Sequence, residues 1–393
     1  RHSAGMMVRF KTDAAIIHAK WKLLNSRLGM PHMPPSGVSG LDLYARNAEG
    51  KWRWAAATRP NKQEMQATLL SGIAKGMREY ALYLPLYNGT ESLEIGMPTG
   101  AKFEALAPRL AKPLVFYGTS ITHGACASRP GMAHPAILGR RLEIPVVNIG
   151  FSGNGKMHKE VGDLMLEVDA ACYIIDCLPN MNATMVTERC VPLVHQLRKA
   201  RPNTPILLVE DRRFANSWLV PGRAKFHDDN HAALRKAYEQ LMAAGVKHLH
   251  YLSGDDLLGD DAQGTTDASH PNDLGFVRPV RHPCLEPVGL SEESGVLSDR
   301  FLGEPVEGHS ELFRVLVCAK DLIPTSPPAY VCSRRGQSSV PASESSKPIA
   351  RAADVPISSR CTNSMVSSGE WIREKSSARK KMAGIPTAAK GAW

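Results

Sequence analysis

The chain has no run of apolar residues that approaches the roughly 20 needed for a transmembrane helix. It also has no recognisable nucleic-acid-binding motif. Although its formal net charge is +10, the basic residues are dispersed and only residues 373–381 are locally basic. We therefore expect neither a membrane nor a nucleic acid as a partner. A signal peptide is also missing, and since the sequence begins at Arg1 rather than methionine, we expect a truncated or processed start.

Disulfide and metal frameworks have little support in the sequence. The eight cysteines follow neither the spacing of a metal site nor that of a dense disulfide framework. Cys172 and Cys177 lie on one predicted strand with their side chains on opposite faces, so they cannot pair with each other. Buried packing is the expected role of Cys177, although its separation from Cys190 also permits a bridge between those two.

Length and composition predict more than one domain. The chain has 393 residues, of which 43% are hydrophobic, and this is ample for a packed core. We place an N-terminal β-domain, truncated at its start, at 1–110 and an α/β domain at 111–280. Residues 281–393 are rich in Ser, Pro, Gly and Arg, which predicts a low-complexity, disordered tail. This tail is either a genuine extension or an out-of-frame translation, and the abrupt change slightly favours the second.

The N-terminal domain shows the alternation of β-structure. Ile17, Ala19, Trp21 and Leu23 alternate with polar residues, which is the period of a half-buried strand. The aromatic residues of this domain could form a sugar-stacking surface, but aromatics in a β-sandwich more often belong to the core. We therefore expect them in the core.

Two further features of this domain predict strands. Trp52 and Trp54 are two positions apart and so share one face of a strand. The apolar runs 80–87 and 93–96 flank Asn88-Gly89-Thr90, which predicts a β-hairpin. The same tripeptide matches a glycosylation sequon, but the hairpin turn is the preferred interpretation.

The next part of the chain alternates short apolar runs with helical stretches. The apolar runs are Leu114–Tyr117, Pro145–Ile149, Cys172–Asp176, Ile206–Val209 and His248–Tyr251. The helical stretches include Ala133–Leu142, Met185–Ala200 and Lys225–Ala244. This alternation predicts a parallel sheet that is covered by helices on both faces.

Polar residues follow several of these strands in a definite order. An apolar strand leads into Gly-Thr-Ser, which exposes Ser120 at the carboxyl end of the predicted sheet. The next strand leads into a Gly/Ser/Asn loop that contains Gly153, and the following strand ends on Asn180. Further along, Asp267 precedes His270 by three residues.

The order of these residues resembles that of the SGNH (GDSL-like) hydrolases across about residues 112–278: serine, glycine, asparagine and then Asp-x-x-His. The departures are mild, since Gly-Thr-Ser replaces Gly-Asp-Ser and Leu-Pro-Asn-Met replaces Gly-x-Asn-Asp. Upstream, Ser39–Tyr44 looks like the Gly-x-Asp-Leu-Tyr signature of the N-terminal domain in SGNH-type esterases. The resemblance implies an α/β fold: a three-layer α/β/α SGNH hydrolase domain with a parallel sheet, preceded by a jelly-roll-like β-sandwich.

The chemistry of acyl transfer gives each block a role. Ser120 is the candidate nucleophile, His270 the candidate base, and Asp267 the group that orients the base. The candidate oxyanion donors are the backbone N–H groups of Ser120 and Gly153 and the side-chain amide of Asn180. Glycine suits position 153 because a close backbone approach leaves no room for a Cβ.

Each of these residues also has an ordinary structural interpretation. Ser120 could cap the helix that follows it, and Gly153 and Asn180 could be turn residues. Asp267 could be a helix N-cap and His270 a residue at the helix start. These alternatives would have to coincide in the order of the family, so the catalytic interpretation is preferred.

Substrate binding is predicted for Thr119, Asn154 and Asp211. Asp211 belongs to Glu210–Arg213, which follows the fourth strand of the α/β domain and lies at the same edge of the sheet. A solvated cluster of salt bridges is an equally good interpretation of that run.

The resemblance implies a serine esterase that hydrolyses carboxylic esters through an acyl-Ser120 intermediate, with no metal and no other cofactor. Relatives with the β-domain are generally bacterial and often exported, and they suggest O-acetyl groups on carbohydrate as the substrate. The alternatives are a lipase or thioesterase on longer acyl chains and a carbohydrate-binding relative without turnover. Polar residues near the second block favour a small acyl group: Ser152, Asn154, Lys156 and His158. The oligomeric state is left open.

Overall fold

The computed structural model describes residues 2–255, 257–281 and 350–351. The predicted tail therefore lies almost entirely outside the described residues. The N-terminal region consists of antiparallel strands in two sheets, with the orders β4-β3-β6-β1-β8 and β14-β7-β2-β5. The strands of these sheets are β1 Met7–Thr12, β2 Ile16–Leu23, β3 Asp42–Arg46, β4 Trp52–Ala57, β5 Glu64–Ser71, β6 Arg78–Tyr83, β7 Thr90–Met97, β8 Phe103–Ala105 and β14 Ala350–Arg351, and a short helix α1 spans Pro35–Val38.

Strand β2 follows the alternation expected from its sequence. Ile17, Ala19, Trp21 and Leu23 are all buried, whereas the residues between them are partly or fully exposed. The strand pairs antiparallel with β5 on one side and β7 on the other. The predicted half-buried strand is therefore confirmed, because one face of an antiparallel sheet covers the core.

Not all aromatic side chains of this region lie in the core. Trp54 on β4 is 53% exposed and its Nε1 donates a hydrogen bond to Asp42 Oδ1 at 3.1 Å. Trp52 is half-buried, and the guanidinium of Arg46 lies 4.3 Å from the centre of its ring. The expectation of core burial is confirmed for Trp21 and wrong for Trp54, because β4 is the outermost strand of its sheet.

The predicted hairpin at Asn88-Gly89-Thr90 is wrong. Strand β6 pairs with β1 and β3, whereas β7 pairs with β2, so the intervening residues cross from one sheet to the other. Asn88 is buried, and its amide donates hydrogen bonds to the Asn25 carbonyl at 2.9 Å and to Ser39 Oγ at 3.1 Å. An Asn-Gly pair marks a turn, but it does not determine which strands pair across that turn.

The α/β region is built on a parallel sheet with the order β10-β9-β11-β12-β13. Its strands are β9 Leu114–Gly118, β10 Val146–Gly150, β11 Cys172–Asp176, β12 Ile206–Val209 and β13 Leu249–Leu252. Its helices are α2 Ser120–His123, α3 His134–Arg141, α4 Lys159–Met165, α5 Ala183–Ala200, α6 Pro221–Ala243 and α7 Asp273–Arg281, with 3₁₀ turns at Pro130–Met132 and Leu178–Asn180. All five predicted strands are confirmed within one residue at each end.

Alternate side chains of these strands pack into two separate apolar layers. Leu114 and Phe116 of β9 belong to the layer that includes residues of α3 and α7. Val115 and Tyr117 belong to the layer that includes residues of α4, α5 and α6. The predicted α/β/α arrangement is therefore confirmed, since a parallel sheet buried on both faces needs apolar residues at consecutive positions. Within the described residues, no helix is both long and apolar enough to cross a membrane.

The cysteines of the α/β region are unpaired. Cys126, Cys172, Cys177 and Cys190 are all free and buried. Cys177 and Cys190 both belong to the apolar layer on the α5 side of the sheet. The alternative of a bridge between them is therefore wrong, and packing is the role that the structure gives Cys177.

The Gly-x-Asp-Leu-Tyr segment joins the β-sheets to the α/β region. Asp42 is fully buried and its Oδ2 accepts hydrogen bonds from Arg129 Nη1 at 2.9 Å and from the Gly131 N–H at 2.8 Å. The Tyr44 hydroxyl also contacts Arg129 Nη1, at 2.5 Å. The signature aspartate is thus a structural residue that fixes the loop before α3.

Gly131→Ala should destabilise this junction. A Cβ at position 131 would lie 2.4 Å from Tyr44 Cε2 and 2.8 Å from Asp42 Oδ2, so ring or carboxylate must shift. Overpacking of this kind costs about 1–3 kcal/mol. Gly222→Ala in α6 is the matched control, because its Cβ would meet no atom within 4 Å. Thermal unfolding should show a lower Tm for Gly131→Ala alone, and equal Tm values for the two variants would contradict the packing argument.

Candidate active site

Ser120 is the first residue of α2 and follows directly on strand β9. The helix cap is Thr119, whose Oγ1 accepts a hydrogen bond from the Ile121 N–H at 3.2 Å. Gly118 permits this sharp turn, because a Cβ there would lie 2.0 Å from Thr122 Oγ1. Since Thr119 caps the helix, the Ser120 hydroxyl is not needed for that purpose and is available for another partner.

The structure brings Ser120, His270 and Asp267 into one hydrogen-bonded series. Ser120 Oγ lies 2.8 Å from His270 Nε2, and His270 Nδ1 lies 2.7 Å from Asp267 Oδ2. Burial opposes ionisation of Asp267, but hydrogen bonds from the backbone N–H and the ring of His270 hold the pKa of that carboxyl below its ordinary value. A carboxylate at Nδ1 assigns the imidazole proton to that nitrogen, which leaves Nε2 to accept from the serine.

The loop that carries Asp267 and His270 is held by its own backbone. Asp267 Oδ1 accepts from the N–H groups of Ser269 at 3.0 Å and His270 at 2.8 Å. Ala268 adopts a left-handed conformation with φ of 72°, and its carbonyl accepts from the Ala215 N–H at 2.8 Å. These bonds offset the cost of the left-handed residue, which is of order 1–2 kcal/mol. They also fix the spacing of the acid and the histidine.

The three candidate oxyanion donors follow neighbouring strands of the parallel sheet. Ser120 comes after β9, Gly153 after β10 and Asn180 after β11, and β9 lies between the other two. The side-chain amide of Asn180 donates a hydrogen bond to the Asn154 carbonyl. All three groups therefore lie at the carboxyl edge of the parallel sheet, at the point where the chain order of the strands reverses. Open α/β sheets bind ligands at this point.

Gly153 has a backbone conformation that favours glycine. Its φ is +70°, and a Cβ would meet no protein atom within 4 Å, so its close approach to an oxyanion stays a prediction. A close approach within the protein occurs at Gly155, where a Cβ would lie 2.1 Å from the Gly118 carbonyl oxygen. Sequence reasoning missed Gly155, although the Gly-x-Gly repeat signalled a second constrained position.

The three predicted substrate-binding residues have different surroundings. Asn154 is exposed, whereas Thr119 is buried as the cap of α2. Asp211 is 2% exposed, with Oδ2 3.4 Å from His227 Nδ1. Of the three, only Asn154 offers its side chain to solvent, and a role in substrate binding stays a prediction for all of them.

For most of the run Glu210–Arg213, the alternative interpretation as a solvated cluster of salt bridges is wrong. Glu210, Asp211 and Arg212 are buried, and only Arg213 makes ion pairs with exposed carboxylates, those of Asp228 and Asp255. Burial raises the pKa of Asp211 to about 8. The side chains of Glu210, Asp211 and Arg212 are therefore inside the protein, where a hydrogen bond is stronger and an unpaired polar group costs more than in water.

Residues of the β-sheet region also reach this site, which sequence reasoning missed. The exposed ring of His32 is stacked near that of His270, with centroids 6.0 Å apart. Tyr87 packs on His123 of α2 with centroids 4.3 Å apart, and its hydroxyl donates to the Ser120 carbonyl at 3.4 Å. No motif surrounds His32 or Tyr87, so only the tertiary structure could identify them.

A metal-binding alternative exists for part of the site. Donor atoms of Cys126, Asp267 and His270 lie within 4.8 Å of one another. Burial raises the pKa of the Cys126 thiol to about 11, so the thiolate that would bind a metal is scarce at neutral pH. Asp267 and His270 are also engaged with each other, and the geometry suits proton transfer better than metal binding.

Comparisons with known proteins identify the family and the fold. Residues 111–285 match the GDSL-like lipase/acylhydrolase family, and residues 1–103 match the GxDLY N-terminus of SGNH-hydrolase-type esterases. A candidate GDSL-like lipase of known structure from Bacteroides ovatus is 36% identical, with a TM-score of 0.68 over 71% of this chain and 82% of that chain. No curated protein sequence is detectably similar to this chain.

Two more distant structures share the fold. The salicylyl-acyltransferase SsfX3 of a tetracycline biosynthetic pathway is 19% identical, with a TM-score of 0.56 over 70% of this chain and 79% of that chain. An active-site mutant of a family two carbohydrate esterase from Clostridium thermocellum is 14% identical, with a TM-score of 0.52 over 70% and 90%.

The fold and the comparisons thus define an ester hydrolase with an α/β/α catalytic region behind a β-sandwich. The chain belongs to the GDSL-like lipase/acylhydrolase family, and its N-terminal region belongs to the type that carries the Gly-x-Asp-Leu-Tyr signature.

Gly155→Ala should impair the site more than Gly153→Ala. Both positions have positive φ, so both variants carry the conformational cost, about 1–2 kcal/mol. Only position 155 adds a clash with the Gly118 carbonyl, directly before Thr119 and Ser120. Ester hydrolysis by the two purified variants should therefore fall more for Gly155→Ala, and equal losses would contradict the assignment of the close approach to Gly155.

Asp211 should make stability depend on pH. Its folded pKa of about 8 lies above the unfolded value near 4, so its contribution is fully present below pH 4 and is lost as pH rises toward 8. Asp211→Asn cannot ionise and should be less sensitive to pH than the native protein across this range. Urea unfolding at pH 5, 7 and 9 measures the difference, and parallel pH profiles would refute it.

Proposed function

We propose that this protein is a serine esterase that hydrolyses small carboxylic esters, in particular O-acetyl groups on carbohydrate, through an acyl-Ser120 intermediate. The observation that carries the proposal is the series from Ser120 Oγ to His270 Nε2 at 2.8 Å and from His270 Nδ1 to Asp267 Oδ2 at 2.7 Å. These distances are those of a nucleophile with its base and of a base with its orienting acid.

In the first step, His270 Nε2 takes the hydroxyl proton of Ser120 while Oγ attacks the ester carbonyl carbon. The resulting imidazolium is stabilised by the carboxylate of Asp267. Collapse of the tetrahedral intermediate breaks the bond to the alcohol, which receives the proton from His270. A water molecule then attacks the acyl-Ser120 ester by the same route in reverse, releasing the carboxylic acid and restoring the serine.

The negative charge that develops on the carbonyl oxygen needs hydrogen-bond donors. We assign this role to the backbone N–H groups of Ser120 and Gly153 and to the amide of Asn180. The Asn180 amide donates one hydrogen bond to the Asn154 carbonyl, and its NH₂ group has a second N–H to offer to the oxyanion. Loss of one such donor typically costs about 2.7–4 kcal/mol in the transition state.

A small acyl group suits the polar loop after β10. Ser152, Gly153 and Asn154 are exposed there beside the candidate oxyanion donors. A carbohydrate substrate is favoured by the fold that this chain shares with the family two carbohydrate esterase from Clostridium thermocellum. The β-sandwich places His32 beside His270, so the leaving alcohol would meet residues of both regions.

A second candidate is hydrolysis of longer acyl chains. Trp218 is 81% exposed and Leu219 is 65% exposed, on the loop whose Ala215 N–H binds the Ala268 carbonyl. An apolar surface so near the histidine loop could hold an acyl chain. The polar character of the loop after β10 makes the short-acyl reaction the better supported of the two.

Ser120→Ala should abolish hydrolysis, and the native protein should prefer p-nitrophenyl acetate to p-nitrophenyl octanoate. Removal of a nucleophile of this kind lowers kcat by about 10⁶-fold, and Asp267→Asn should cost up to about 10⁴-fold. The exposed Ser26→Ala is the matched control and should retain full activity. Initial rates on both esters, and acetate release from an acetylated oligosaccharide, measure these effects.

The outcomes separate the candidates. Preference for octanoate would favour the longer-chain alternative. Activity that survives Ser120→Ala would refute the acyl-serine mechanism. A native protein that melts cooperatively but shows no turnover would instead favour a carbohydrate-binding relative.

A further inference from the structure

A buried carboxylate lies beneath the candidate active site. Asp176 ends strand β11 and is 1% exposed. Arg212, itself 6% exposed, donates from Nη1 to Oδ1 and Oδ2 at 2.9 and 3.2 Å and from Nη2 to Oδ2 at 3.2 Å. Thr122 adds a hydrogen bond from Oγ1 to Asp176 Oδ2 at 3.1 Å. The carboxylate is therefore fully engaged, and a forked arginine gives the pair a fixed orientation.

Each partner of Asp176 belongs to a different part of the site. Thr122 lies two residues after Ser120 on α2. Asp176 itself leads into the turn Leu178–Asn180, which carries a candidate oxyanion donor. Arg212 lies on the loop after β12, three residues before Ala215, whose N–H donates to the carbonyl of Ala268, the residue after Asp267. One carboxylate thus connects the nucleophile helix, the oxyanion turn and the histidine loop.

We propose that Asp176 and Arg212 are positioning residues that hold Ser120, Asn180 and His270 in register for acyl transfer. This inference rests on the proposed function. Two buried charges are costly to desolvate, and only good geometry with full hydrogen bonding offsets that cost. Alternative arrangements of the three segments would leave Asp176 or Arg212 without its partner, so the pair restricts the segments to one arrangement.

The neighbouring histidine does not compete for this role. His134 Nε2 lies 3.8 Å from Asp176 Oδ2, too far for a hydrogen bond. Burial, with a smaller effect of Arg212, holds the pKa of His134 well below its ordinary value, so the ring is neutral at pH 7. Arg212 is thus the cation that compensates Asp176.

The test compares Asp176→Asn with a matched variant elsewhere. Glu79→Gln changes a largely buried carboxylate on β6 that pairs with Arg9 of β1 and Arg46 of β3, within the N-terminal sheet. For acetate ester hydrolysis, Asp176→Asn should lower kcat by up to about 10²-fold with KM nearly unchanged, as expected when reacting groups are misplaced. Glu79→Gln should lower Tm while the folded protein keeps its kcat.

Two milder variants keep the proposal testable if Asp176→Asn fails to fold. Thr122→Val removes only the hydroxyl, and Arg212→Lys keeps the charge but loses the fork. Both should lower kcat rather than raise KM. The double variant Asp176→Asn/Thr122→Val should be no worse than Asp176→Asn alone, because Thr122 acts through Asp176.

A kcat for folded Asp176→Asn and Thr122→Val within twofold of the native value would overturn the inference, as would an equal loss of kcat in Glu79→Gln. This failure is distinct from failure of the proposed function. If Ser120→Ala abolishes turnover while the Asp176 variants are fully active, the esterase mechanism stands and only the positioning role falls.

Discussion

The candidate active site depends on the parallel pairing of β9 with β10 on one side and β11 on the other. Leu114 of β9 is opposite Val146 of β10 and Cys172 of β11, so the three strands end at one level. The residues that follow them are brought together there, although as many as 60 positions separate them along the chain. Parallel strands have all their carboxyl ends at one edge, and the reversal of strand order opens a crevice at that edge.

Around this sheet, the positions of the candidate catalytic side chains are determined by backbone conformations that few residues tolerate. Gly153 and Gly155 have positive φ, and so does Ala268 between the acid and the histidine. Residues in such conformations persist when surrounding bonds over-determine them. Here the Ala215–Ala268 hydrogen bond, the bonds to Asp267 Oδ1 and the close contact of Gly155 with Gly118 provide that restraint.

The β-sandwich is part of the site and not only an attachment to it. Asp42 fixes the loop before α3 through Arg129 and Gly131. Tyr87 contacts the nucleophile helix, and His32 lies beside His270. Helices cover both faces of the parallel sheet, so the site opens at the carboxyl edge of the sheet. Residues of the β-sandwich at that edge therefore limit which molecules can approach Ser120.

The sequence by itself determined the class of fold, the five strands of the parallel sheet and the residues of the hydrogen-bonded series. Apolar runs of strand length and turn glycines are local signals. The chemistry is indicated by the residue types and the chain order of Ser120, Gly153, Asn180 and Asp267-x-x-His270. The tertiary structure alone decided that Asn88 bridges two sheets, that Thr119 caps α2, that Gly155 makes the close approach and that Asp211 is buried. It alone joined Asp176 to Arg212 and His32 to His270. These features depend on contacts between residues far apart in the chain, and local propensity carries no information about which distant group will be the partner.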